Sequence, residues 1–278
     1  MANAATASLR QYQLGKGKPK PYWLQGLAMV IFTAFLGGSV APLLLGRPTL
    51  IASNEFVIPA CVIAWYSIHY LGFHYLFALA PIKVLHAIFL ALFRTHTVCN
   101  TVSLATTILK ANNASNVPVV GPIVVGTIQG CLSLFFPLDR GLAIISQGTP
   151  WPLQGALITA GYFQFMVNDV EGLGGTLFRG IFGAHSESAV RIQIFTMHLV
   201  TLLLQAFISP ESNIFTPLHK VLYLVFQVQG PAVMVHPGKA PAEVGWPKQA
   251  RERLDDLLLF IKFVFLTSLA FVVIEKYF

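Results

Sequence analysis

Long apolar runs, separated by short polar or Gly/Pro-rich breaks, dominate this chain. They fall at 22–46, 56–80, 82–108, 118–137, 150–168, 190–209 and 255–275. A helix crossing a bilayer needs about 20 mainly apolar residues in succession, so each run predicts a membrane-spanning helix. The expected fold class is all-α: a polytopic membrane protein of about seven transmembrane helices. Residues 1–21 form a polar, basic tail, 22–209 a six-helix body, 210–254 a long connection, and 255–278 a last helix. Within that connection, Thr216 to Val228 is apolar around His219 and Lys220 but short for a span, which predicts an interfacial segment. Gly230-Pro231 through Trp246-Pro247 predicts irregular chain, and Lys248 to Asp256 is densely charged.

Composition agrees with hydrocarbon-facing helices. The 278 residues are 55% hydrophobic and only 10% charged, with mean hydropathy +0.68. A soluble domain carries about 25% charged residues to cover its surface. The net charge of +7 does not indicate nucleic acid, because no basic cluster is longer than Lys16, Lys18 and Lys20. It serves as a topology signal. With seven spans, the N-terminal side holds 11 Lys and Arg outside the spans and the opposite side 4. The positive-inside rule then places the N-terminus in the cytosol. Residues 1–21 show no cleavable signal, so the first span is expected to act as an uncleaved signal anchor. A short basic tail without acids also suits an organellar address, leaving mitochondria and plastids open. Cys61, Cys99 and Cys131 are widely spaced in apolar runs, the pattern of buried thiols rather than disulfides or a zinc site.

A weak internal repeat divides the body. Leu36-Gly37-Gly38-Ser39-Val40-Ala41-Pro42 through Arg47 resembles Ile128-Gln129-Gly130-Cys131 through Arg140, at an offset of 92 residues. Three spans separate the copies, so the second runs inverted through the membrane. Inverted repeats with Gly/Pro-interrupted helices point to a transport pathway at the repeat interface. Gly37, Gly38, Pro42, Gln129 and Gly130 are therefore candidate kink and pore-lining residues. The alternative for Gly37 and Gly38 is close helix packing, and packing is the favoured reading of the Gly126/Gly130 pair.

The third run carries a polar stripe. Lys83, His86, Arg94 and Thr97 share one helical face at about 100° per residue. A lipid-facing Arg in mid-membrane is costly, so the stripe is expected to face protein, water or anionic headgroups; Lys83 can snorkel. Arg191 and Lys262 lie closer to span ends. Asp169 and Glu171 form either an acidic mouth or the start of a solvated loop, with a turn over Gly172-Leu173-Gly174-Gly175. His69, His74, His86, His96 and His198 fall in or near spans, but no facing pair is fixed for haem and no cofactor is expected. No nucleophile elbow, phosphate-cradling loop or zinc-protease signature occurs, so enzyme chemistry has no positive support.

These residues resemble a known family. Trp23-Leu24 through Phe35-Leu36-Gly37-Gly38, Leu43-Leu44-Leu45 and Pro48 resembles the second helix of the trimeric intracellular cation channels. Trp65-Tyr66 and Pro81-Ile82-Lys83-Val84 resemble that family's third helix and the start of its fourth. Gly130 falls near its second glycine-bearing pore helix, and Pro152 to Leu157 resembles the helix after it. The resemblance covers about 22–210. It implies two inverted three-helix repeats plus a seventh helix, assembled as a homotrimer with a potassium-conducting pore in each subunit. It also implies an internal membrane, the endoplasmic reticulum first, and an anionic phosphoinositide bound near Lys83, His86 and Arg94. Three features depart from the family. Its first helix has no counterpart in 1–21, its Lys-Glu-Val motif falls on Leu90-Ala91-Leu92, and Gln129 stands where its pore lysine is expected. Those departures support an alternative, a non-conducting accessory subunit of a larger membrane complex, and a secondary transporter is a third reading.

Overall fold

The computed structural model describes residues 22–112, 117–135, 145, 149–169, 171–207 and 214. Among them all regular structure is helical. The elements are α1 (Trp23–Leu44), α2 (Leu50–Ser53), α3 (Val57–His69), a 3-10 turn (Phe73–Ala78), α4 (Ala80–Asn112), α5 (Val120–Cys131), α6 (Trp151–Phe163), α7 (Leu173–Phe182) and α8 (Glu187–Phe207). A 3-10 turn, Leu132–Phe135, extends α5, and a π-turn, Gln164–Asn168, extends α6. Three helices, α1, α4 and α8, are long and apolar enough to cross a membrane, while α3 and the α5 segment are shorter apolar helices. The last predicted span, 255–275, the interfacial segment at 216–228 and the basic tail lie outside the described residues.

The predicted runs and the helices coincide closely, with two physical differences. The run at 56–80 breaks after His69, because Gly72 adopts a left-handed φ of 70° that starts the 3-10 turn. The glycine-rich stretch after α6 is no simple turn: α7 begins within it, at Leu173.

Helix α5 sits at the centre, packed against α1, α4 and α6, while α8 closes on α4 and α3 lies against α1. The main core joins Val98, Cys99 and Val102 of α4 to Ala160 and Phe163 of α6, Met166 of the π-turn, and Val190 and Ile194 of α8. A second cluster joins Val30 of α1 to Trp65 and Ile68 of α3. A third, of Ala41, Leu45, Ala105 and Val125, ties α1 to α4 and α5. Large side chains on the outside, Phe89, Phe93, Ile63 and Tyr66 among them, are exposed. In a bilayer such apolar surface needs no cover, since lipid tails are as apolar as the side chains.

Candidate functional site: the crossing of α1 and α5

Small residues decide how α5 sits. A Cβ added to Gly130 would stand 2.7 Å from Ala156 Cβ and 3.0 Å from Val98 Cγ2, and one on Gly126 would stand 3.2 Å from Ala160 Cβ and overlap Val102. Gly126 and Gly130 thus present one face of α5 to α4 and α6, with Ala156 and Ala160 opposite them. This small-residue seam is helix packing.

The neighbouring residue turns the other way. Gln129 meets α1 at the glycine pair: a Cβ on Gly37 would overlap the Gln129 carbonyl and stand 3.2 Å from the Ile128 carbonyl. At this point only a glycine fits between the two backbones. Gly38 is looser, with a Cβ there 3.6 Å from Gln129 Nε2. The two glycine-marked segments of the repeat therefore touch, through Gly37, Gly38 and Gln129, while Gly130 is occupied with α4 and α6.

Polar groups collect on the same turns. Pro42 lies inside α1 and has no N–H, so the Gly38 carbonyl lacks its partner four residues on. The Pro42 carbonyl accepts from Leu45 N and Arg47 N, both at 2.9 Å, closing the helix end. Ser39 Oγ is buried with no hydrogen-bond partner among the described residues. An unpaired hydroxyl in an apolar surrounding is unfavourable, on the order of 1–3 kcal/mol. Trp65 Nε1, His185 Nδ1 and Gln193 Nε2 are likewise buried without a hydrogen-bond partner among the described residues.

At the α4–α6 contact the polar groups are paired. Thr106 Oγ1 donates to Gln164 Oε1 at 2.8 Å and to the Val102 carbonyl at 2.9 Å. Asn168 Nδ2 donates to the same Gln164 oxygen at 2.9 Å, and Gln164 Nε2 donates to the Pro118 carbonyl at 2.9 Å. Between α6 and α8, Tyr162 OH donates to Gln193 Oε1, while Gln193 Nε2 is buried without a partner among the described residues. An open cavity of about 490 Å³, lined by Thr106, Thr107, Lys110 and Asn168 with Val117 and Val167, lies at this end of α4.

The polar stripe of α4 turns toward protein. The Arg94 guanidinium lies 4.4 Å from the Trp151 ring centroid, a cation–π contact. The imidazole of His198, buried on α8, lies 3.4 Å from Thr95 Oγ1. His86 packs edge-on against Phe77 at 5.4 Å. Lys83 is half-buried near the start of the helix. Arg191, on α8, pairs with Glu187 at 2.8 Å.

Asp169 is neither a solvated loop residue nor an open acidic mouth. It is 6% exposed, and its Oδ2 accepts from Gly175 N at 3.4 Å in the first turn of α7. Sequence reasoning missed this cap because the donor lies six residues on, beyond the glycines that make room for the carboxylate.

The arrangement defines a helical membrane protein with three helices long and apolar enough to span, a central small-residue seam and a glycine-mediated crossing of α1 and α5. No protein-family model matches the chain, and comparisons with curated proteins and with solved structures give no match.

Proposed function

We propose that this protein is a cation channel of an internal membrane, of the trimeric intracellular cation channel type, with a potassium pathway in each protomer between α1 and α5. The observation that carries the reading is the crossing itself. The two helices picked out by their glycines pack on one another at Gly37 and Gln129, through residues that a simple packing seam would not leave polar. Gln129 brings its carboxamide to Gly38, and Ser39, whose buried hydroxyl has no partner among the described residues, follows on the same turn of α1. Neutral oxygens of this kind replace the hydration shell of a monovalent cation. Discontinuous helices with freed carbonyls are the usual carriers of ion sites at repeat interfaces. In the present conformation Gly37 closes the passage against the Gln129 backbone, so conduction requires α1 and α5 to part. The homotrimer, the endoplasmic reticulum as its membrane and the phosphoinositide near Lys83, His86 and Arg94 belong to this reading through the family resemblance.

Purified protein in planar bilayers is expected to pass potassium. Absence of conductance above protein-free controls overturns the reading.

A second reading, the non-conducting accessory subunit, is favoured by one observation. Gln129, standing where the family has its pore lysine, is engaged against α1. Stoichiometric partners co-purifying in mild detergent would support it. A homotrimer alone by native mass spectrometry would count against it.

A further inference from the structure

Helix α7 joins the end of α6 to the start of α8, and its contacts give its direction. Gly175 lies against the Asp169 and Phe165 carbonyls. Phe178 stacks on Phe165 at 4.9 Å, and Arg179 Nη2 donates to the Met166 carbonyl at 2.7 Å. Phe182 then meets Tyr162 edge-on at 5.8 Å. As α7 advances from 175 to 182, its partners retreat from 169 to 162. The helix runs antiparallel to α6, back along its side.

Its opposite face is apolar and uncovered by any described residue. Leu173, Leu177 and Ile181 are 90%, 55% and 66% exposed. Their spacing of four places them on one stripe about 12 Å long. The only ionisable residue of α7, Arg179, points to the inner side, where it binds the Met166 carbonyl of the π-turn. A helix lying in water would place its charge outward and its leucines inward. Here both choices are reversed. An irregular π-turn at membrane depth is tolerated where protein groups satisfy the carbonyls it frees, and Arg179 does this at Met166.

We propose that α7 is a re-entrant membrane helix whose Leu173, Leu177 and Ile181 stripe contacts the acyl chains of the bilayer. Lipid is the occupant because α7 leads into α8, a helix long and apolar enough to cross a membrane, and runs along α6. Those two helices also expose apolar side chains, Leu157 on α6 and Ile192 on α8. The inference rests on the membrane character of the chain and is independent of conduction.

The test uses the full chain in phosphatidylcholine nanodiscs, with Cys61, Cys99 and Cys131 replaced by alanine and unfolding checked against the parent. Single cysteines introduced by L173C, L177C and I181C receive a nitroxide label. Collision with oxygen, which concentrates in lipid, is compared with collision with a water-soluble nickel chelate. L157C supplies the lipid reference and E171C the aqueous one. The expected result is an oxygen-to-nickel ratio at 177 and 181 several-fold above that at 171 and close to that at 157. A ratio matching residue 171 while 157 reads as lipid overturns the proposal, because α7 then lies in water. Low collision with both reagents also overturns it, because protein then covers the stripe. Broadening that is lost on dilution with unlabelled chain would identify that cover as a second copy.

Discussion

Two helix contacts in this body are built from similar residues and differ in how they treat polar groups. Between α4 and α6, Gln164 is fully buried and three of its hydrogen-bonding positions are used, by Thr106, Asn168 and the Pro118 carbonyl. Between α1 and α5, backbones approach as closely as glycine allows, and Ser39 Oγ on that stretch of α1 is buried without a partner among the described residues. The first arrangement fixes two helices in one register. The second holds them by shape, with a buried hydroxyl nearby that has no partner among the described residues. A low-dielectric surrounding makes both consequences larger, because satisfied networks rigidify and unsatisfied groups are costly. The contrast separates the hydrogen-bonded α4–α6 contact from the shape-only contact of α1 with α5.

The largest effect is expected at Gly37. In Gly37→Ala the new methyl overlaps the Gln129 carbonyl, a backbone atom that cannot rotate away. Overpacking of this kind costs about 3 kcal/mol, and the midpoint of unfolding in mild detergent should fall accordingly. Gly38→Ala is the control, since its methyl meets Gln129 Nε2 at an ordinary 3.6 Å. Equal losses in the two variants would remove the crossing as a close backbone contact.

Next comes Gln164→Leu, which keeps volume but strands the Thr106 hydroxyl's side-chain contact, the Asn168 amide and the Pro118 carbonyl. A loss of about 2 kcal/mol is expected. Hydrogen exchange at the ends of α4 and α6 should accelerate while that in α1 stays unchanged. Acceleration spread equally over α1 would show that the two contacts are not separate.

Arg179→Met comes third. It keeps the apolar stem and removes both donors to the Met166 carbonyl, at a cost of about 1 kcal/mol, the scale of single polar contacts within membranes. Unfolding should begin at α7, visible as earlier proteolysis between Gly172 and Gly183.

The helical runs, three of them long and apolar enough to cross a membrane, were legible in the sequence because hydrophobic length is a local property. Runs such as 22–46 and 190–209 meet the helices Trp23–Leu44 and Glu187–Phe207 within a few residues. The glycine marks at Gly37-Gly38 and beside Gln129 were legible too. That Gly37 would face the backbone of Gln129 while Gly130 faced α6 was not, since one residue on a helix changes direction by about 100°. Helix α7 escaped for a related reason. Gly172, Gly174 and Gly175 read locally as a turn, and the helix exists because Asp169 and Phe165, from the preceding helix, need that space. Of the polar stripe, the sequence indicated that Arg94 avoids lipid; its partner Trp151, 57 residues on, required the fold.

The smallest effect tests the comparison most directly. Ser39→Ala removes a buried hydroxyl that has no partner among the described residues, so no hydrogen bond is lost and a desolvated polar atom disappears. Thr106→Val removes a hydroxyl of similar size that bonds to both Gln164 and Val102. If the two contacts differ as described, Thr106→Val lowers stability by about 1 kcal/mol, whereas Ser39→Ala leaves it unchanged or raises it slightly. The asymmetry arises because deleting a paired group strands its partners, while deleting an unpaired one strands nothing. Chemical unfolding of both variants in the same detergent decides the matter. A loss at Ser39 as large as that at Thr106 would mean that Ser39 Oγ is already bonded in the resting protein. The α1–α5 crossing would then be a second fixed joint, held by hydrogen bonds like the α4–α6 contact.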